Sequence, residues 1–430
     1  MEKHILSKST FIKGYHCLKS LYLHKKRPFL RDRLTAEQLA KFKRGHRVGD
    51  LAQQLFPGGI DVSPKSPSQY QKSAIRTAEL MASGQEVIYE ATFQYNQVLI
   101  MLDILVKTDT GWEAYEVKSS KHLSETYMTD AALQYYVMTQ TGLELSRFYL
   151  VYVDEHYHLE NRLNLDEYFI KKDVTSELIE KQDFIAQKIA EEMAMLQEDH
   201  SPKMAVGEHC FSPYKCDFVG FCWKKMKDKP YLPQAINLKG VFPQSDKDTE
   251  VLSFIFSEQA IPECENEKSY FQKCIGFKVG EGRALISGKN CKEKRDFIQS
   301  FFEQIDLTKR YLTFDKYLMS AWLGDVVLQF PEFEAKLEYL NQHTLGLIDT
   351  ILEKELIALK TKPLYTLAFL AKAHLGDDSL KKSALSSDIL ATALFEKMET
   401  TLWADASPDM ESLKHFLDMK QSLSKELYHL

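Results

Sequence analysis

Val98-Leu-Ile-Met-Leu-Asp-Ile-Leu-Val106-Lys-Thr-Asp-Thr-Gly-Trp112-Glu-Ala-Tyr-Glu-Val-Lys118 reads as two strands joined by a tight turn. Apolar runs flank Asp109-Thr110-Gly111, a strong turn signal, so a hairpin is expected. Asp103 is an isolated acid inside an otherwise apolar strand. A turn centred near Thr110 brings it roughly opposite Glu116 and Val117. Glu116 and Lys118, two apart, project from one face of their strand. Two carboxylates and an ammonium are therefore expected to converge.

An unpaired acid in a buried strand is unfavourable. A hard divalent cation, Mg²⁺ or Mn²⁺, relieves it, because such ions take oxygen ligands and keep several waters. The ion polarises a phosphoryl oxygen and lowers the pKa of bound water. A lysine beside it can orient that water or stabilise developing negative charge. The same pattern also fits a simpler arrangement, a buried Asp–Lys ion pair next to a solvent-facing glutamate.

Outward from the hairpin, residues 86–93 read as a preceding strand. A helix is expected over about 126–139 and a further strand over 147–154. Upstream, Thr35 is a plausible N-cap for a helix over about 35–56, which Pro57-Gly58-Gly59 ends abruptly. Residues 63–71 are polar and read as a loop. Downstream, 175–198 predicts one long amphipathic helix with Leu178, Ile179, Ile185, Ile189, Met193 and Leu196 on its apolar side. The lysines and prolines of 224–233 read as a linker, which divides the chain into domains 1–235 and 236–430.

With 430 residues, 44% hydrophobic and 27% charged, the chain has the composition of a globular protein with room for two cores. A net charge of -6 excludes a uniformly basic nucleic-acid coat. It does not exclude a local basic surface. Lys13, Lys19, Lys25, Lys26, Arg27, Arg31, Arg33, Lys41, Lys43, Arg44 and Arg47 crowd the first fifty residues, either as phosphate contacts or as a solvated helical face. The polar start lacks the apolar stretch of a secretory leader, and no apolar run is long enough to span a bilayer. A cytoplasmic protein with no membrane association is expected.

Seven cysteines in such a chain are core residues or metal ligands, not a disulfide framework. Cys210, Cys216 and Cys222 follow a C-x5-C-x5-C spacing, unlike the C-x2-C of common zinc sites. Three clustered thiolates need a fourth ligand, and Cys17 in Tyr15-His16-Cys17 is the obvious one. Together they would staple the two ends of the first domain. Zinc, with His16 or His209 replacing a thiolate, and ordinary core cysteines both remain open. Cys264, Cys274 and Cys291 lie outside the pattern and read as structural.

An acid in one strand followed by Glu-x-Lys in the next resembles the signature of PD-(D/E)XK nucleases. The flanking text resembles the RecB-like branch, in Arg44-Gly-His46-Arg-Val-Gly-Asp-Leu-Ala and in Leu133-Gln134-Tyr135-Tyr136. The branch usually places its tyrosine further from the glutamine. The resemblance implies a restriction-endonuclease-like mixed α/β sheet flanked by helices. It implies that His46, Asp103, Glu116 and the Val117 carbonyl bind Mg²⁺ or Mn²⁺, that Lys118 is catalytic, and that Gln134 positions DNA or the lysine. Glu90 would stand at the edge of the site. One-plus-three cysteines resemble the iron–sulfur members, AddB-type subunits and CRISPR adaptation exonucleases. That implies a [4Fe–4S] cluster on Cys17, Cys210, Cys216 and Cys222. Those relatives act on single strands or DNA ends, which points to an exonuclease or flap cutter. The alternative is a silent or partner-activated DNA-binding scaffold serving a helicase or another repair or defence protein.

Residues 240–430 resemble a ribonuclease-H-like, DEDD-type exonuclease domain, α/β and helix-rich. Its first strand usually carries Asp-x-Glu shortly before Ala-Ile-Pro. In 251–262 Ser253 and Ile255 stand where those acids belong, while Tyr311-Leu-Thr-Phe-Asp315 and Leu347-Ile-Asp349 resemble later motifs. Without the first acid pair two metals cannot be held. A degenerate, non-catalytic domain that binds DNA or a partner is expected.

Overall fold

The computed structural model describes residues 4–154, 157, 164–226, 233–243, 248–257, 274–287, 291–399 and 407–430. The expected linker, most of which falls at 227–232, the Ala-Ile-Pro of 260–262 and Cys264 lie outside these residues. The chain divides into two compact units, Met1–Thr35 with Phe42–Tyr157 and Asn164–Lys229, and Ala36–Lys41 with His158–Leu163 and Pro230–Leu430. Each is mixed α/β, a mixed sheet flanked by helices. Among the described residues no helix is long and apolar enough to cross a membrane.

The first unit opens with β1 (Leu6–Ser7), α1 (Lys8–His16) and α2 (Leu18–Lys26), followed by α3 (Ala36–Gln53), β2 (Ile60–Asp61) and α4 (Tyr70–Ala82). The hairpin region is β3 (Val87–Tyr95), β4 (Val98–Thr108) and β5 (Gly111–Lys118). Then come α5 (Glu125–Gln140), β6 (Leu145–Val153), α6 (Leu165–Tyr168), β7 (Phe169–Asp173), α7 (Thr175–Glu180), α8 (Gln182–Gln197) and α9 (Val219–Cys222). The sheet order is β2-β3-β4-β5-β6-β7, and β1 lies parallel beside β4 with Leu6 against Val98 and Ser7 against Leu99. The expected β4–β5 hairpin forms, with Thr108 against Gly111 and Ile104 against Tyr115. Asn96 and Gln97 turn β3 into β4 with positive φ, the backbone a two-residue hairpin turn requires. Helix α5 packs across β3 and β4 with α1 and α8 against it, and Phe11, Ile100, Leu102, Leu133, Val137 and Phe148 fill the interior. Burial of each such side chain contributes roughly 1.5–3 kcal/mol.

The long helix expected over 175–198 is broken at Lys181 into α7 and α8. The Gln182 amide donates to the Leu178 carbonyl at 2.6 Å, taking the acceptor that the next helical N–H would use. Across the two helices Leu178, Ile185, Ile189 and Leu196 are buried while Ile179 is 54% exposed.

The second unit contains β8 (Thr249–Phe256), β9 (Cys274–Val279), β10 (Leu285–Ile286), α10 (Cys291–Glu303), β11 (Arg310–Thr313), α11 (Lys316–Gln329), α12 (Glu334–His343), β12 (Thr344–Gly346), α13 (Leu347–Glu353), α14 (Leu367–Leu375), α15 (Ser379–Lys382), α16 (Asp388–Glu399) and α17 (Pro408–Tyr428). Its strand order is β10-β9-β8-β11-β12, with β9 antiparallel to β8, and β11 parallel to both β8 and β12. Strand β8 serves two cores by alternation: Val251 and Ile255 join one, Leu252 and Phe254 the other. Ser253 is buried and donates to the Leu417 carbonyl of α17 at 3.2 Å.

Candidate active site

Strand β4 pairs with β3 along most of its length but shares its other edge, with β5 on one half and β1 on the other. Asp103 sits at this fork, one residue beyond the last β4–β5 pair. Its Oδ2 accepts the Val117 N–H at 2.6 Å, so a side chain replaces the ladder where the strands part. Lys8, the first residue of α1, enters the fork from β1. Its ammonium donates to the Met101 carbonyl at 3.3 Å and to Glu116 Oε1 at 2.8 Å. Lys118 donates to the same Oε1 at 2.7 Å and to Asp130 Oδ2, on α5, at 2.5 Å.

On the other side of β4, the β3 ladder skips one residue between the Tyr89–Ile104 and Ala91–Leu102 pairs. The skipped residue is Glu90, which lies across from Asp103 with φ of 55°, a backbone conformation that non-glycine residues rarely take. Strained backbone of this kind is concentrated at functional sites.

The electrostatics follow from crowding acids and ammonium groups away from water. Burial, then the charges of Glu116 and Glu90, push the Asp103 carboxyl well above the usual carboxylate range, against the pull of Lys8 and Lys118. Burial raises Glu90 as well, opposed by Lys8 and reinforced by Glu116. Burial alone would raise Glu116 too, but Lys118 and Lys8 outweigh it and hold that carboxylate well below its ordinary value. Burial would depress both lysines; for Lys118 the Asp130 and Glu116 carboxylates, and for Lys8 the Glu116 and Asp130 carboxylates, hold the ammonium well above the ordinary lysine range. Glu116 is 2% exposed and Lys118 bonds to Glu116 and Asp130, so the simpler arrangement of an Asp–Lys pair beside a solvent-facing glutamate is not the one formed.

Asp103, Glu116, Val117 and Lys118 therefore meet as the strand pattern required. Gln134 lies one helical turn beyond Asp130 on α5, fully buried, with neither amide atom hydrogen-bonded among the described residues. His46 is different. It is exposed on α3, although the neighbouring Gly45 faces Ser119, just past the end of β5. Among the described residues no three His, Cys, Asp or Glu side chains form a ready metal-holding group. Two site residues escaped the sequence reading, Lys8 and Asp130. Asp130 carried a usable signal, an acid four residues before Gln134 and so on the same helical face. Lys8 carried none, because only tertiary pairing brings it near.

Oxygen donors suit a hard cation here. Glu116 Oε2 and Asp130 Oδ1 are buried with no hydrogen-bond partner among the described residues, and burial, reinforced by the charge of Glu116, pushes the Asp103 and Glu90 carboxyls upward against the pull of Lys8. These features fit a divalent ion better than they fit an isolated acid cluster.

The four cysteines lie on two neighbouring segments without forming such a metal-holding group among the described residues. Cys17 joins α1 to α2, Cys210 lies in a short 3-10 turn, Cys216 follows, and Cys222 ends α9. Burial, then Cys216 and Cys210, oppose ionisation of Cys17; burial, then Cys216, Cys17 and Cys210, oppose that of Cys222. His209 Nε2 is 3.6 Å from Cys210 Sγ, and burial together with His209 lowers the His16 pKa. Direct bonds hold the segment to the N-terminal helices. Asp217 pairs with Lys13 at 2.6 Å and with Arg31 at 3.1 Å, and Gly220 N–H donates to Asp32 at 2.9 Å. Two of the N-terminal cations are thus engaged in folding. Cys274 is buried in β9.

In the second unit Lys362 lies between Asp315 and Asp349, 3.0 and 3.1 Å from their oxygens. Lys420 pairs with Asp388 at 2.6 Å. The buried Ser253 and Ile255 of β8 provide no carboxylate beside either pair.

No family model matches the chain, and no curated protein matches it. One solved structure, described as the crystal structure of SSO0001, is similar over 53% of this chain and 89% of that one, at 10% identity and a TM-score of 0.26.

Proposed function

We propose that the first unit is a Mg²⁺- or Mn²⁺-dependent deoxyribonuclease of the PD-(D/E)XK, RecB-like type, acting on single strands or DNA ends. The observation that carries this reading is the convergence of Asp103, Glu116 and Lys118 at a sheet fork, with Glu90, in a strained backbone conformation, across from Asp103. Asp103 and Glu116, with Glu90 beside them, would hold the metal. A bound divalent cation supplies Lewis-acid activation of the phosphoryl group and of water. Lys118 stays protonated between Glu116 and Asp130, so it acts by donating a hydrogen bond to the developing oxyanion, not as a base. Glu116 and Asp130 fix the direction of that ammonium, and Lys8 balances the charge behind it.

Cys17, Cys210, Cys216 and Cys222 are proposed to hold a [4Fe–4S] cluster, with zinc as the alternative. The burial of Cys17 and Cys222 beside the other two thiols supports a shared ligand set, and hydrolysis needs no redox step, so a structural role is proposed. The strand order of the second unit supports a ribonuclease-H-like fold, and Lys362 between Asp315 and Asp349 supports its being non-catalytic.

A second reading, a partner-activated subunit, is favoured by one observation: two ammonium groups already share Glu116 Oε1. Cleavage of end-labelled single- and double-stranded DNA with Mn²⁺, by anaerobically purified protein beside Lys118→Ala, separates the two. Cutting by the parent alone supports the nuclease. Binding without cutting, with every divalent ion tried, supports the subunit and removes the autonomous enzyme.

A further inference from the structure

The second unit carries a space that its fold positions for a ligand. Strands β8 and β11 run parallel, and a cavity of about 210 Å³ lies against their carboxyl ends, at Phe256 and Thr313. The carboxyl ends of adjacent parallel strands are where open α/β sheets hold small molecules. Its walls are aromatic. Phe254, Phe256, Phe314 and Phe416 line it, and Phe254 stacks on Phe256 with ring centres 5.2 Å apart. An apolar cavity of roughly 150 Å³ already admits benzene, so this one has room for two fused rings.

The charges bordering the cavity are closed on one another. Lys420 donates to Asp388 at 2.6 Å and to the Phe254 carbonyl at 2.5 Å, while Asp388 also accepts the Phe256 N–H at 3.0 Å. Asp315 caps α11 by accepting the Leu318 N–H at 3.1 Å, and pairs with Lys362 at 3.0 Å. A charged guest would lose its hydration and find no uncompensated partner. An uncharged one gives up little. Polar capacity remains at one edge, where the Ser386 and Ser387 hydroxyls reach Glu37 only at 3.4 Å, the long limit of hydrogen bonding. We propose that the second unit binds a small, uncharged, planar heterocycle of one or two rings in this cavity, stacked on the phenylalanines with its polar edge toward Ser386 and Ser387. The site gives this unit a ligand-binding role that does not depend on the nuclease reading, which concerns the first unit alone.

The test is calorimetric titration of the full chain with indole, an uncharged ring pair with one N–H, beside benzoate, a charged ring. Indole is expected to bind with a Kd of about 0.1–1 mM, and benzoate at least about tenfold more weakly. Ala368 lines the cavity from α14 and is only partly buried, so Ala368→Leu fills the space with little overpacking. That variant is expected to lose indole binding with an unchanged or raised melting temperature. Ala368→Met repeats the comparison should the leucine variant fail to fold. Replacing both serines, Ser386→Ala with Ser387→Ala, is expected to weaken indole binding about fivefold. No binding by the parent, equal affinity for benzoate, binding retained in the filled variant, or an unchanged Kd in the serine pair would each overturn the proposal.

Discussion

Lys8 and Glu116 are 108 residues apart in sequence and 2.8 Å apart in space, an ammonium donating to a carboxylate that is 2% exposed. The pair exists because β1 lies beside β4 and so delivers the start of α1 to the fork that Asp103 holds open.

Lys8→Met should therefore destabilise the first unit. Glu116 would keep only Lys118, and an under-compensated buried carboxylate costs about 1–3 kcal/mol or more. The expected result is a melting temperature several degrees lower. An unchanged melting temperature together with unchanged cleavage would show that the ion pair is incidental.

Lys118→Ala is expected to lower kcat by about 10²–10³, the range for loss of one preorganised stabiliser of developing charge. KM should change little, since the ammonium acts at the transition state. A parent-like rate would remove Lys118 from the chemistry and with it the assignment of the site.

Glu192 on α8 gives a pH signature of its own. Its carboxyl lies against Gly14, fully buried, with neither oxygen hydrogen-bonded among the described residues. Burial, aided by Glu191, pushes its pKa up to about 9 from 4.5. A raised carboxyl pKa means the folded state keeps a proton that the unfolded state has released, so this group loses stability as pH rises between those values. Relative to the parent, Glu192→Gln should gain up to about 1.4 kcal/mol of stability per pH unit across that window. Urea midpoints at mildly acidic and mildly alkaline pH test it; a difference that does not widen with pH would mean the carboxyl is not titrating as a buried group.

Cys216→Ser should lower bound iron and melting temperature together, because the staple and the cluster are proposed to be one structure. Should iron stay bound in that variant, the ligand set is wrong; should neither change, the cysteines are packing residues.

Much of the first unit was legible because its signals are local. Alternation and a turn triplet define β4 and β5, and spacing by two puts Glu116 and Lys118 on one face. What escaped was set at a distance. Lys8 reaches the site through a two-residue parallel strand, too short to leave a periodic trace. The break at Lys181 depends on one amide choosing the Leu178 carbonyl, which leaves the amphipathic period intact across both helices. His46 sits in a motif-like context, yet its helix turns it to solvent.

The sheet fork also sets an order of events during synthesis. A ribosome makes Leu6 and Ser7 long before their partners Val98 and Leu99 exist, so the opening strand has to wait for β4. Such long-range pairing is slow to close, and an unpaired strand is exposed meanwhile. Lys118, Lys8, Asp103 and Glu116 therefore meet only when the emerging hairpin captures the first strand. A nascent fragment that stops before β5 carries Lys8, Glu90 and Asp103 but lacks Glu116 and Lys118, so the charges that compensate one another in the fold are not yet all present.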